Sequence, residues 1–141
     1  MAAQLKFLLD NNFPPHFASG LSELALGDGL GSVHALRSMF PENSDDLVWI
    51  PQLTGSPQWV VVSQDKFKKQ NGLERVALAR AGLIVFCLQS SWNKLTYWDK
   101  AYNLVRWWPR ICEQASGIQG KALYSVPLKF GANGKFIQVP F

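Results

Sequence analysis

Three aspartates lie at points where a predicted strand ends or a predicted helix begins. Asp10 directly follows the apolar run Leu5–Leu9. Asp65 comes soon after the β-branched run Trp59–Val62, and Asp46 stands at the start of a predicted helix. In an open parallel sheet, ligands bind outside the carboxyl ends of the strands. Because carboxylate oxygens with little His or Cys nearby favour Mg²⁺ or Mn²⁺, the pattern predicts a site for such a metal ion.

Each aspartate also has a purely structural interpretation. Asp after a strand is a common turn former, and a helix N-terminus favours a negative side chain. Asp45 precedes Asp46 and replaces it as the candidate ligand if the helix begins one residue earlier. Since neighbouring carboxylates repel each other unless a cation or a proton balances them, the three aspartates in this order favour a metal site over three unrelated caps.

Other catalytic chemistry finds little support in the sequence. It contains no GxGxxG, GxxxxGK[ST] or GxSxG motif, which argues against dinucleotide binding, P-loop NTP binding and a serine hydrolase. His16 and His34 stand outside any triad-like context and are interpreted as ordinary surface or core residues. Cys87 and Cys112 form no CxxC pair, so we expect no zinc site and interpret Cys87 as a small buried hydrophobe.

The composition is that of one globular domain, which we expect to span residues 1–141. Apolar residues make up 48% of the chain and charged residues only 17%. No apolar run reaches the roughly 18 residues that a membrane span needs, and the first nine residues lack the pattern of a secretory signal. We therefore expect a cytoplasmic protein without a membrane partner. Its net charge of +4 favours phosphate-bearing partners.

Basic and aromatic side chains are candidates for binding such a partner. The basic candidates for contacts with an RNA backbone are Lys66, Lys68, Lys69 and Arg75. Among the tryptophans of the longest predicted helix, Trp98 and Trp108 are expected in the core. Trp107 should point elsewhere on that helix and either stack on RNA bases or take part in a protein interface.

Strand and helix patterns alternate through most of the chain. The predicted strands are Leu5–Leu9, Ser32–Leu36, Trp59–Val62, Leu83–Leu88, Ala122–Val126 and Lys135–Val139. The predicted helices lie around Phe17–Leu24, Leu47–Leu53 and Leu73–Ala79, and from Tyr97 to about Glu113. Pro51 should kink or shorten the second helix, and Asn133-Gly134 predicts a hairpin between the last two strands. The alternation predicts an α/β fold with a central parallel sheet and helices on both faces.

Four segments resemble those of PIN-like domains, and the resemblance covers nearly the whole chain. The opening Leu5–Pro14 is similar to the first motif of that family. Asp46–Pro51 resembles the second acidic motif of its toxin branch, and Val60–Asp65 resembles the third motif, a strand followed by Ser/Thr-x-Asp. Trp98–Arg110 is similar to the last helix of the toxin branch. The resemblance implies a three-layer αβα domain with a C-terminal β-hairpin.

The resemblance further implies a metal-dependent ribonuclease, often the toxin of a bacterial toxin–antitoxin pair. Asp10, Asp46 and Asp65 would be the acidic ligands of Mg²⁺ or Mn²⁺, with Asn11 or Asn12 as a polar helper beside the first. The reaction would be metal-assisted hydrolysis of a phosphodiester bond. The implied partners are an RNA substrate and a cognate antitoxin protein, and the protein could form a homodimer.

The chain departs from the family pattern after the third motif. Many PIN domains have a fourth acid near that motif, whereas here Lys66-Phe67-Lys68-Lys69 follows. A site with fewer carboxylates would bind metal more weakly. The alternative function is therefore a non-catalytic PIN-like module that binds RNA or a partner protein.

Overall fold

A six-stranded sheet forms the centre of the protein. The computed structural model describes residues 5–10, 13–41, 43–53, 58–68, 70–131 and 135–141. The strands are β1 (Lys6–Leu9), β2 (Ser32–Ala35), β3 (Trp59–Ser63), β4 (Ile84–Leu88), β5 (Ala122–Val126) and β6 (Ile137–Val139). Their order across the sheet is β2-β1-β3-β4-β5-β6. Neighbouring strands from β2 to β5 are parallel, and β6 pairs with β5 in the antiparallel direction.

Among the described residues, five α-helices connect or flank the strands. They are α1 (Pro15–Gly27), α2 (Leu36–Met39), α3 (Asp46–Trp49), α4 (Leu73–Arg80) and α5 (Tyr97–Ser116). The predicted strand Ser32–Leu36 was one residue too long, because Leu36 begins α2. The expected shortening at Pro51 is confirmed, since α3 has four residues and passes into a 3-10 turn at Ile50–Gln52. The predicted turn residues Asn133-Gly134 lie outside the described residues.

Helices cover both faces of the sheet, so the predicted three-layer α/β fold is confirmed. Strands β3 and β4 are buried along their whole length, as expected for central strands of a parallel sheet. On one face the core is completed by α1 and α5, and on the other by α3, its 3-10 turn and α4. None of the described helices is both long enough and apolar enough to cross a bilayer.

The tryptophans of α5 correct two of our predictions. Trp108 is buried as expected, but Trp107 is fully buried as well, so it neither stacks on RNA nor joins an interface. Its ring packs against Phe130 and Phe136, at centroid distances of 5.1 and 5.3 Å, because the C-terminal segment covers that flank of the helix. Trp98, expected in the core, is 78% exposed, because it lies outside the buried stripe of the helix.

Candidate metal centre

Three carboxylates from three different segments converge beside the sheet. They belong to Asp46, the first residue of α3, to Asp65, just after β3, and to Glu74, in the first turn of α4. One oxygen of each lies within 4.8 Å of one oxygen of each of the others. Glu74 is only 2% exposed, and the other two are partly buried. We call these three residues the acid group.

Of the two consecutive aspartates, Asp45 caps the helix and Asp46 joins the acid group; the sequence had left open which of them is the candidate ligand. Asp45 caps α3, since its side-chain oxygen accepts a hydrogen bond from the Leu47 backbone N–H at 2.8 Å. Asp46 is thereby the first helical residue, and its carboxylate accepts a hydrogen bond from Trp49 Nε1 at 2.9 Å. Because the Trp49 ring is completely buried, it is a rigid donor that orients the Asp46 carboxylate.

A short loop after β3 positions Asp65. The Asp65 backbone N–H donates to Ser63 Oγ at 2.8 Å, and the Asp65 carboxylate accepts from the Phe67 backbone N–H at 2.8 Å. Phe67 is fully buried and has a positive φ of 53°. The buried ring therefore anchors the loop in a left-handed conformation that side chains rarely adopt, and this anchoring holds the Asp65 carboxylate at the carboxyl edge of the sheet.

Asp10 occupies a neighbouring but different environment. It is 7% exposed, and its carboxylate accepts a hydrogen bond of 2.6 Å from Ser63 Oγ. Ser63 thus links the Asp10 carboxylate to the backbone of Asp65 through one hydroxyl group. The structure brings Asp46 and Asp65 into the acid group, whereas the third carboxylate of that group is Glu74 and not Asp10. Asn11 and Asn12, the predicted polar helpers, lie outside the described residues.

Burial and the neighbouring acids raise the pKa of Asp46 to about 7. Burial is the largest cause, followed by a hydrogen bond with Glu74, and the negative charges of Glu74 and Asp65 add to it. The hydrogen bond from Trp49 acts in the opposite direction. Near neutral pH, therefore, a proton shared with Glu74 compensates the crowding of negative charge, and a cation can take its place.

The acid group has the chemistry of a site for a hard divalent ion. Among three oxygens bound to one octahedral Mg²⁺ ion at about 2.1 Å, only one pair can lie on opposite sides of the ion, roughly 4.2 Å apart, and the other pairs are roughly 3 Å apart. The three oxygens of the acid group lie within 4.8 Å of one another, so they would move closer together to share one ion. Because all three donors are carboxylate oxygens, the group suits Mg²⁺ or Mn²⁺ better than Zn²⁺.

Basic side chains alternate with the acids in the sequence. Lys66 follows Asp65, Arg75 follows Glu74, and Arg75 Nε donates to the Lys66 backbone carbonyl at 3.2 Å. Lys66 and Lys68 are exposed and Arg75 is half-buried, whereas Lys69 lies outside the described residues. Lys66 and Arg75 are therefore sequence neighbours of two members of the acid group, and Lys68 lies three residues after Asp65.

Glu74 is the residue that sequence reasoning missed. The chain was expected to lack a fourth acid near the third motif, because only basic and aromatic residues follow Asp65 directly. The structure corrects this expectation, since Glu74 comes from the first turn of the next helix. An acid just after Gly72, at the predicted start of a helix, was the available signal, but such an acid is also common for reasons of helix stability.

Comparison with known families agrees with this architecture. The protein is an α/β domain with clustered carboxylates at the carboxyl edge of a parallel sheet, the place where ligands of such sheets bind. The profile of a family described as "PIN like domain" matches residues 5–90, more than half of the chain. The chain therefore belongs to the PIN-like domain family, whose members are usually nucleases. Comparisons with curated proteins and with solved structures found no significant match.

The matched segment contains every acid discussed above. Asp10, Asp46, Asp65 and Glu74 all lie between residues 5 and 90, whereas α5 and the last two strands lie beyond it. Family membership and the acid group thus concern the same part of the chain. The similarity of α5 to the toxin branch remains a resemblance only.

Proposed function

We propose that this protein is an endoribonuclease that depends on Mg²⁺ or Mn²⁺. The observation that carries the proposal is the acid group, in which three carboxylates converge at the carboxyl edge of a sheet in a PIN-like domain. The main argument for a non-catalytic module was the apparent lack of a fourth acid. Glu74 removes that argument, because it supplies a carboxylate from outside the family-like motifs.

The residues of the site have distinct tasks in this mechanism. Asp46, Asp65 and Glu74 would hold the ion, which when bound lowers the pKa of a water molecule and stabilises charge on the phosphate. Trp49 orients Asp46 from the buried side. Asp10, whose carboxylate is held by the Ser63 hydroxyl, would accept the proton of the attacking water as a general base. Asn11 and Asn12 remain the predicted polar helpers beside Asp10.

Unpaired RNA fits the surroundings of the acid group best. The predicted RNA-binding residues Lys66, Lys68, Lys69 and Arg75 would attract the phosphate backbone. Helix α5 exposes Trp98 and Tyr102, which are 78% and 66% accessible, one turn apart on the helix. Aromatic side chains can stack only on bases that are themselves unstacked, so this surface favours single strands and loops.

The first turns of α5 adjoin the site. Lys100 Nζ donates to the Gln64 side-chain oxygen at 2.9 Å, and Gln64 immediately precedes Asp65. Gln64 also donates to the side-chain oxygen of Asn93 at 2.6 Å, in the 3-10 turn before α5. The exposed aromatic residues of α5 therefore belong to a helix whose N-terminal part is tied to the loop of the acid group.

The decisive experiment compares matched carboxyl-to-amide variants. With Mn²⁺, the purified wild type should cleave a single-stranded RNA, EDTA should stop the reaction, and Asp65→Asn should abolish it. Glu23→Gln is the control, because Glu23 is an exposed acid of α1. Equal cleavage by wild type and Asp65→Asn would point to a contaminating nuclease and refute the proposal. Mn²⁺ binding without cleavage of any RNA would support a non-catalytic module.

We also propose, from the family resemblance, a role as a toxin with a cognate antitoxin in the cytoplasm. Expression of the wild type in bacteria should then slow growth, and expression of Asp65→Asn should not. A neighbouring gene for a small DNA-binding protein should restore growth when co-expressed. Sedimentation of the purified protein tests the predicted homodimer. Undisturbed growth with a catalytically active wild type would refute the toxin role but leave the nuclease intact.

A further inference from the structure

A cavity lies on the sheet face that α4 covers, and two of its lining residues directly follow acids of the acid group in the sequence. Its volume is about 190 Å³. Its floor is formed by side chains of the sheet, including Cys87 of β4 and Leu123 of β5. Its polar lining consists of Lys66, Lys68, Arg75, Gln89 and Ser125. The cavity thus combines an apolar floor with a rim of hydrogen-bond donors.

The charge of this cavity has one sign. Three of its lining side chains are cationic, and none of the described residues that line it is acidic. Cys87 adds no negative charge, because burial raises the pKa of its thiol to about 12. Gln89 and Ser125 can donate neutral hydrogen bonds. A small anion with several acceptor oxygens fits this combination of charge and donors.

The cavity lies near the acid group. Asp65 of the acid group and Lys66 of the cavity are consecutive, and so are Glu74 and Arg75. The Cys87 thiol on the floor experiences the charges of Arg75 and Lys66 as well as that of Asp65. A strand whose scissile phosphate lies at the acid group can therefore place an adjacent phosphate at the cavity.

We propose that this cavity binds one phosphate group of the RNA strand, next to the phosphate that is cut. The inference rests on the proposed function for the identity of the strand. Lys66, Lys68 and Arg75 supply the charge, and Gln89 and Ser125 supply neutral donors that distinguish the cavity from a merely basic surface. The other exposed cations contribute only diffuse attraction.

The first test measures binding without catalysis. Fluorescence anisotropy of a short single-stranded RNA in EDTA compares Lys66→Ala/Lys68→Ala with Lys129→Ala/Lys135→Ala. The control pair removes the same charge from exposed side chains that do not line this cavity. We expect the affinity for RNA to fall about tenfold in the first pair and less than twofold in the control pair. In the first pair, the slope of log affinity against log salt concentration should also fall in magnitude by about 0.7, for one lost phosphate contact. Equal losses in both pairs would overturn the proposal.

The second test locates the phosphate. Single phosphates of the RNA are replaced in turn by neutral methylphosphonates, and each substituted strand is bound to wild type and to Lys66→Ala/Lys68→Ala. One position should weaken binding to the wild type severalfold but leave binding to the variant unchanged. Gln89→Leu and Ser125→Ala should each bind RNA more weakly than the wild type, and the methylphosphonate at that same position should weaken their binding less than it weakens binding by the wild type. The absence of any such position would overturn the proposal.

A third test distinguishes binding of a phosphate within an RNA strand from binding of free inorganic phosphate. Inorganic phosphate at millimolar concentration should compete only weakly with RNA. Tight phosphate binding by a wild type that does not bind RNA would overturn the assignment to a strand. Thermal melts establish that each variant is folded. If the cavity variants lose binding at one phosphate but the wild type cleaves no RNA, the nuclease proposal is refuted and the phosphate-binding proposal stands.

Discussion

Asp10 and the acid group lie at the same edge of the sheet, yet they balance negative charge in different ways. The Asp10 carboxylate is buried and accepts a short hydrogen bond from the neutral hydroxyl of Ser63. In the acid group, Asp46 hydrogen-bonds to a second carboxylate, that of Glu74, and the pKa of Asp46 rises to about 7. A single carboxylate is stabilised by a neutral donor, whereas three together need a proton or a cation.

The difference shows where a metal ion would contribute most. A cation would attract any buried carboxylate, but only crowded carboxylates gain in addition the removal of their mutual repulsion. We therefore expect variants of the acid group to change metal binding and variants of Asp10 to change chiefly stability and proton transfer. Each prediction below tests this division.

The largest effect should come from Glu74, the acid outside the predicted motifs. Glu74→Gln should reduce RNA cleavage by roughly 100-fold or more, because it removes a metal-binding oxygen and the balance of charge around Asp46. Initial rates at saturating Mn²⁺ measure the effect, and Glu23→Gln should leave the rate unchanged. Full activity of Glu74→Gln would show that Glu74 only stabilises α4. The metal ion would then be held by the predicted aspartates alone.

Mn²⁺ should stabilise the wild type strongly and acid-group variants weakly. An ion at 100 times its dissociation constant adds about 2.7 kcal/mol to the free energy of unfolding. Chemical unfolding with Mn²⁺ and with EDTA measures this difference. Asp65→Asn should lose most of it, whereas Asp10→Asn should keep a large part. If Asp10→Asn loses as much as Asp65→Asn, the separation of the two regions is wrong and Asp10 is an equal ligand.

In the metal-free protein, Asp10→Asn should destabilise the fold. The substitution weakens a buried, charge-assisted hydrogen bond from Ser63, so we expect a loss of about 1 to 2 kcal/mol. Urea unfolding in EDTA measures it. Ser63→Ala provides the matched partner, and the double variant should lose less than the sum of the two single losses. A more stable Asp10→Asn would mean that repulsion also dominates around Asp10.

The smallest effect should be a stabilisation by Asp46→Asn in EDTA. The pKa of Asp46 is higher in the folded state, so the folded protein binds a proton more tightly than the unfolded chain between about pH 4 and 7. The free energy of unfolding should therefore fall as the pH rises through this range. Asp46→Asn should reduce that fall and be more stable than wild type by about 1 kcal/mol at pH 8. Parallel pH profiles for the two proteins would contradict the interpretation.

Local sequence determined the frame of the site. The β-branched run of β3 and the apolar run of β4 can be stable only as buried strands, and Asp65 follows β3 within two residues. The cap at Asp45 and the shortening of α3 at Pro51 also depend on neighbours in the chain. The identity of the strands and their ends to within one or two residues were therefore predictable, because periodicity and short-range hydrogen bonding decide them.

Contacts between distant segments were decided only by the tertiary structure. Trp107 and Trp98 both lie in α5, and which of them is buried depends on Phe130 and Phe136, residues far along the chain that cover one flank of the helix. Glu74 joins Asp65 because α4 packs with its first turn toward the end of β3. Such packing depends on how whole helices and strands are arranged in space. The spacing of residues along the sequence does not reveal that arrangement.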